Sequence, residues 1–260
     1  MTTDAPGRTT ARGQTVPIAD IELYYEDYGH GEPLLLLHGF GGCTQNWDPF
    51  TAELAARRRL IVVDLRGHGH STDPGNRFSH REAARDLFRL LEELGIGRFS
   101  AMGMSSGGMV LLHMATSQPE RIDAMVLISA TSHFPEPARA LMRRASFETM
   151  PQQVQEMYRA CAKRGEEQIR QLVTRFNAFH GDHEDMSFTA QALSTITART
   201  LLVHGDRDRF FPLEIPVSLY QSIPDAALWI VPGGDHVPIY DATVPFTSTA
   251  LRFLEGADDR

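Results

Sequence analysis

The stretch AMGMSSGGMVLL, residues 101–112, decides how the rest of the chain is read. It crowds Gly103, Ser105, Ser106, Gly107 and Gly108 together directly after a short apolar run. The pattern G-x-S-x-G fits as Gly103-Met104-Ser105-Ser106-Gly107, between an expected strand and an expected helix. On such a strained strand-to-helix turn, glycines two residues either side of the serine let neighbouring backbones approach without a Cβ clash. That frame separates the two serines. With Ser105 at the tip, Gly103 and Gly107 take the crowded positions; with Ser106 there, Met104 would occupy a place that needs a small residue. Ser105 is therefore the expected nucleophile. Ser106 is expected to offer its backbone N–H, at the positive end of the following helix, to a developing oxyanion.

Working outward, short apolar runs alternate with amphipathic stretches. IELYYEDYG (21–29) has the aromatic and β-branched content of an antiparallel strand. LLLLH (34–38) and LIVVD (60–64) are continuous apolar runs, as in strands buried on both faces. Between them NWDPFTAELAARR reads as a helix with Asn46 as a possible cap, and SHREAARDLFRLLEELG (79–95) as a helix opened by Ser79 with Glu82 and closed by Gly95. The alternation continues through FSAMGM, the helix after the elbow, and DAMVLISA (123–130). It resumes at RTLLVHG (199–205), LEIPVSLYQSIP, ALWIVPG (227–233) and FTSTALRFLEG. Strands alternating with helices predict an α/β fold, a mostly parallel central sheet flanked by helices. The alternation breaks between about 132 and 196, where Met142, Met150, Met157, Phe147, Tyr158, Phe176 and Phe179 are spread over helical stretches. The expected organisation is a core of 1–132 and 196–260 with a small helical cap, or lid, at 133–195.

Bulk composition narrows the function classes. A net charge of −8 argues against nucleic acid or an anionic membrane as the main partner. No apolar run approaches the roughly 18 residues that span a bilayer, and the polar first fifteen residues lack the apolar stretch of a secretory signal. A cytoplasmic protein is expected, its first dozen residues mobile. Cys43 and Cys161 lie far apart without metal-ligand spacing and read as free thiols of a reducing compartment. No metal or cofactor is expected. HGDHED (180–185) reads as a solvated loop of the cap, with no second ligand cluster to make it a metal site.

A nucleophilic serine needs a base, and the base needs an orienting acid. GDRDRFFP (205–212) and PGGDHVP (232–238) each follow an expected strand, so Asp208 and His236 should project from the sheet edge that Ser105 leaves. Asp206 competes with Asp208 for the acid. The loop HGFGG (38–42) follows the buried run 34–37, and the Phe40 N–H is the candidate second oxyanion donor. His38 reads as a turn-organising side chain, while His113 and His204 read as packing and core-edge histidines.

Together HGFGG, DLRGHGHST (64–72), GMSSGG, GDRDRFFP and GGDHVP resemble the α/β-hydrolase superfamily, specifically its single-domain members with a helical cap, over nearly all of 16–256. The resemblance implies Asp208 as the acid and makes Asp64, Arg66 and His68 parts of a structural turn. It implies an esterase-like serine hydrolase acting on a small-molecule ester or related acyl substrate. Enol-lactonase, carbon–carbon hydrolase and cofactor-free perhydrolase share the same triad, and a small-molecule receptor shares the same fold. Methionines and phenylalanines in the cap favour an apolar acyl pocket. With His236 as a base that must start neutral, activity is expected to fall as pH drops through about 6–7. Neither the acyl preference nor whether the chain is a monomer or a homo-oligomer follows from these residues.

Overall fold

In the computed structural model residues 13–75, 78–241 and 243–256 are described. The first dozen residues, expected to be mobile, lie outside them. Eight strands form one sheet: β1 Gln14–Ile18, β2 Ile21–Tyr28, β3 Pro33–Leu37, β4 Arg59–Val63, β5 Phe99–Met104, β6 Ile122–Ile128, β7 Arg199–Gly205 and β8 Ala226–Val231. Their order is β1-β2-β4-β3-β5-β6-β7-β8. β2 pairs antiparallel with β1 and β4, and every other pairing is parallel. The fold is thus that of an α/β hydrolase, with the antiparallel strand at 21–28 where the aromatic run predicts it. β1 has no counterpart in the sequence reading. QTVPI carries a proline and is half exposed, so it lacks the pattern of a covered strand.

The continuous apolar runs become strands covered on both faces, and their residues alternate between two cores. Leu35, Leu37, Ile61, Val63, Ala101, Met125 and Leu127 pack on one side, with α2 (His80–Glu93), α3 (Ser106–Ser117) and α8 (Glu214–Ser222). Leu34, Leu36, Leu60, Val62, Met102, Val126 and Val203 face the other side, with α1 (Asp48–Ala55) and α9 (Phe246–Leu254). Ser79 caps α2 as expected, its hydroxyl accepting the Glu82 N–H at 3.1 Å. Asn46 does not cap α1. Its Oδ1 instead accepts the Cys43 N–H at 2.9 Å, and a 3-10 turn over Thr44–Trp47 precedes the helix.

Between β6 and β7 the chain forms α4 (Glu136–Arg143), α5 (Gln152–Cys161), α6 (Glu166–Ala178) and the short α7 (Ala190–Leu193), with one isolated bridge, His133 to Ser187. This segment sits against the loop after β3: Phe176 and Phe179 lie 5.6 and 5.2 Å, ring to ring, from Phe40. Cys161, the last residue of α5, is joined to Cys43 by a disulfide, with Cα atoms 5.4 Å apart. The expectation of two free thiols is corrected by this bond. Sequence separation of 118 residues hid it, because only the fold brings α5 over the β3 loop. The cysteine argument for a reducing compartment falls with it. Among the described residues no helix is long and apolar enough to cross a membrane.

Candidate active site

Ser105 sits between β5 and α3 with φ 48° and ψ −113°, a backbone conformation that L-residues adopt only when their surroundings impose it. Those surroundings are visible. The Ser105 N–H donates to Ile128 O at 2.7 Å, tying the turn to the end of β6. A Cβ on Gly103 would lie 2.5 Å from the Gly107 carbonyl carbon, and one on Gly107 would lie 2.5 Å from Leu37 O. Both positions flanking Ser105 therefore admit only glycine, as the frame of the motif requires.

The three loops that leave β5, β7 and β8 bring Ser105, Asp208 and His236 into one hydrogen-bonded line. His236 Nε2 lies 3.0 Å from Ser105 Oγ, and His236 Nδ1 lies 2.7 Å from Asp208 Oδ2. The second Asp208 oxygen accepts the N–H groups of Phe210 and Phe211 at 2.8 and 3.1 Å. Burial pushes the Asp208 pKa up, but the His236 contact and these N–H groups outweigh it and hold the carboxyl below its ordinary range. An ionised carboxylate can only accept, so the proton on Nδ1 belongs to His236 and Nε2 is left free to accept from Ser105. Asp206, the competing acid, is occupied elsewhere: its Oδ1 accepts the Gly233 N–H at 2.6 Å and shapes the turn after β8.

The supporting residues divide as their positions predict. His38 is fully buried and takes the Leu65 N–H on Nε2 at 3.0 Å, so its Nδ1–H donates to Gly39 O at 2.7 Å. It organises the turn that carries Phe40. A Cβ on Gly39 would come within 3.5 Å of Ser105 Cβ, which sets this loop directly against the serine. Asp64 accepts the N–H groups of Thr44 and His70, and Arg66 is buried among Asp86, Asp20 and Asp73. His204 Nε2 bonds Phe211 O at 2.8 Å beneath the acid loop. Phe40, Phe176, Phe210 and His236 form a run of adjacent rings beside the serine, at 5.6, 6.3 and 4.9 Å.

Two residues, Ser129 and His80, have no counterpart in the sequence reading, which places a third, Asp185, in a solvated loop. Ser129, at φ 50° after β6, accepts the Val237 N–H at 3.1 Å and steadies the loop of His236. His80 and Asp185 are buried and joined at 2.7 Å. Asp185 corrects the expectation of a solvated loop at 180–185: His183 and Glu184 are exposed, but Asp185 is turned into the protein. The signal for His80 was present, a histidine at the first position of an otherwise well-patterned helix, yet no local rule names its partner. A cleft of about 370 Å³ lined by Arg81, His113, Asp185 and Phe188 lies on this flank and includes no member of the Ser105 line.

These elements and this order of nucleophile, acid and histidine define an α/β-hydrolase. The family model for the alpha/beta hydrolase fold matches residues 32–176, and the chain belongs to that family. It is 29% identical to 2-hydroxymuconate semialdehyde hydrolase of a Pseudomonas species, over 98% of both chains. Among solved structures it superposes on the meta-cleavage product hydrolase of Pseudomonas fluorescens IP01 with a TM-score of 0.81, at 22% identity over 95% of this chain and 98% of that one. The enol-lactonase of Burkholderia xenovorans LB400 gives 0.78 at 19% identity, over 93% and 100%.

Proposed function

We propose that the protein is a serine hydrolase that cleaves carboxylic esters through an acyl-enzyme, with Ser105, His236 and Asp208 as its catalytic triad. The observation that carries this reading is the line Ser105 Oγ–His236 Nε2–Asp208 Oδ2, at 3.0 and 2.7 Å. Ser105 Oγ attacks the ester carbonyl as His236 takes its proton; the carbonyl oxygen becomes an oxyanion. The backbone N–H groups of Phe40 and Ser106 receive that charge, the latter from the first turn of α3. His236 then returns the proton to the departing alcohol, leaving Ser105 acylated. A water molecule, deprotonated by the same histidine, attacks the acyl carbonyl; the second oxyanion collapses, and the proton goes back to Ser105 Oγ. Residues 133–195 act as the cap in this reading, with Phe176 packed between Phe40 and Phe210 beside the triad and lowering the local dielectric.

A second reading is favoured by one observation. Arg175 Nε is buried without a hydrogen-bond partner among the described residues, one position before Phe176. Burial lowers the pKa of that guanidinium, partly offset by the charge of Asp73. An acidic substrate would relieve it, and one relative above is named as a 2-hydroxymuconate semialdehyde hydrolase. The experiment is a panel of p-nitrophenyl esters of rising acyl length, a lactone and a carboxylate-bearing vinylogous diketone, run on wild type and Ser105→Ala. Ser105-dependent turnover fastest on the esters supports the ester reading; fastest on the diketone, and lost in Arg175→Gln, supports carbon–carbon cleavage. Equal rates for wild type and Ser105→Ala on every substrate exclude both.

A further inference from the structure

Ser106 has a hydrogen-bonded line of its own. Its Oγ lies 3.1 Å from His80 Nε2, and His80 Nδ1 lies 2.7 Å from Asp185 Oδ2. The distances repeat those of the Ser105 line one residue away, but the setting is opposite. Ser106 is 4% exposed, His80 0% and Asp185 7%, so no substrate reaches this serine. A complete Ser-His-Asp line that cannot meet a substrate must act on the protein itself.

Its donor directions are fixed by chemistry. Asp185 accepts the backbone N–H groups of His80 and Arg81 at 2.7 and 3.1 Å, at the positive start of α2. Burial opposes its ionisation, but these bonds and the His80 ring hold its pKa well below the ordinary carboxylate value. An ionised Asp185 can only accept, so His80 Nδ1 carries hydrogen and donates to it, which turns Nε2 toward the Ser106 hydroxyl. His113 Nε2 bonds Asp185 O at 2.7 Å from the α3 side, which holds the loop in place a second way.

The line ends at Ser106, whose backbone N–H is the oxyanion donor in the function proposed above. Ser105 is in a strained conformation, and the peptide plane between 105 and 106 is the first of α3; whatever holds Ser106 aims that N–H. The other proposed donor, Phe40, is held by the same cluster. Its ring lies 5.5 Å from Phe78 and 5.2 Å from Phe179, and the His80 ring lies 5.2 and 5.3 Å from those two rings. Asp185 and Phe179 come from the segment 133–195; Phe78, His80 and Ser106 come from the core.

We propose that His80 and Asp185 are positioning residues for the oxyanion hole: by holding the Ser106 hydroxyl they aim its backbone N–H, so the seating of the cap loop at 182–187 is read by the acyl-transfer step. This rests on the serine-hydrolase reading above. Groups that aim a donor act where charge develops, in the transition state, and leave substrate binding alone.

The test uses the full chain and p-nitrophenyl butyrate. Ser106→Ala keeps the backbone N–H and removes only the hydroxyl. It is expected to lower kcat about tenfold with KM within twofold. Affinity for a trifluoromethyl ketone, which forms a tetrahedral oxyanion on the serine, should fall by the same factor as kcat/KM. His80→Gln, which retains an acceptor near the Nε2 position, should recover part of the rate lost in His80→Ala, and should cost nothing further in the Ser106→Ala background. Because His80→Ala leaves Asp185 a buried charge without its partner and can fail to fold, Ser106→Ala carries the decision. Wild-type kcat and ketone affinity in a folded Ser106→Ala overturn the proposal, as does a loss confined to melting temperature. If wild type and Ser105→Ala hydrolyse the ester alike, the serine-hydrolase reading fails, and the proposal fails with it.

Discussion

Ser105 and Ser106 are neighbours with identical side chains, and their surroundings separate them. Ser105 is at φ 48°, half exposed and 3.0 Å from His236; Ser106 is helical, buried and 3.1 Å from His80. Glycine spacing sufficed to assign the first, because the crowding at Gly103 and Gly107 is a local property of a tight turn. The second could not be found that way, since its partners lie 26 and 79 residues away in sequence. The crowding itself predicts a result. Gly103→Ala places a methyl 2.5 Å from the backbone of Gly107, where no flexible side chain can yield. We expect a loss of roughly 1–3 kcal/mol or more in urea unfolding together with loss of hydrolase activity, since the elbow must shift to admit it. Unchanged stability and rate in that variant would contradict the packing described.

At the scale of elements, the parallel strands and the loops at their C-terminal ends were legible, because doubly covered strands are continuous apolar runs and the site loops follow them directly. The strand at 14–18 and the role of the segment between β6 and β7 were not. Helices α4 to α6 carry few residues that say where they dock, and their seat on the core is set by long-range contacts. The disulfide between Cys43 and Cys161 is one of these, tying the end of α5 to the residue just beyond HGFGG. Disulfides typically contribute about 2–4 kcal/mol. Reduction, or Cys161→Ser, is therefore expected to lower the melting temperature by roughly 5–15 °C. KM should rise more than kcat falls, since the bond ties the end of α5 to the loop after β3 and takes no part in chemistry. A melting temperature indifferent to dithiothreitol would show that the bond adds nothing to stability.

Across the whole molecule, two sets of groups govern the response to acid, buried histidines and buried carboxylates. His38, His68, His113 and His204 are buried, and burial lowers the pKa of each, His113 to about 4. The unfolded chain binds protons at these positions below about pH 6.5 while the folded chain does not, so stability falls as pH drops below that value. Each contributes up to about 1.4 kcal/mol per pH unit over its window. Asp185 and Asp208 have lowered values as well; their contribution is complete above the ordinary carboxylate range and is lost as pH falls through it toward the folded values. Urea unfolding should thus give a plateau above about pH 7 and a progressive loss toward pH 5, shallower in His113→Phe. Equal stabilities at pH 5 and 8 would contradict the buried neutral histidines. The function proposed for the whole molecule rests on a single covalent event, and it can be seen directly. Acid-quenched p-nitrophenyl acetate reactions, digested and read by mass spectrometry, should place one acetyl group on Ser105, with none in Ser105→Ala. Acetyl on Ser106 or elsewhere, or an adduct that survives in Ser105→Ala, would contradict Ser105 as the nucleophile.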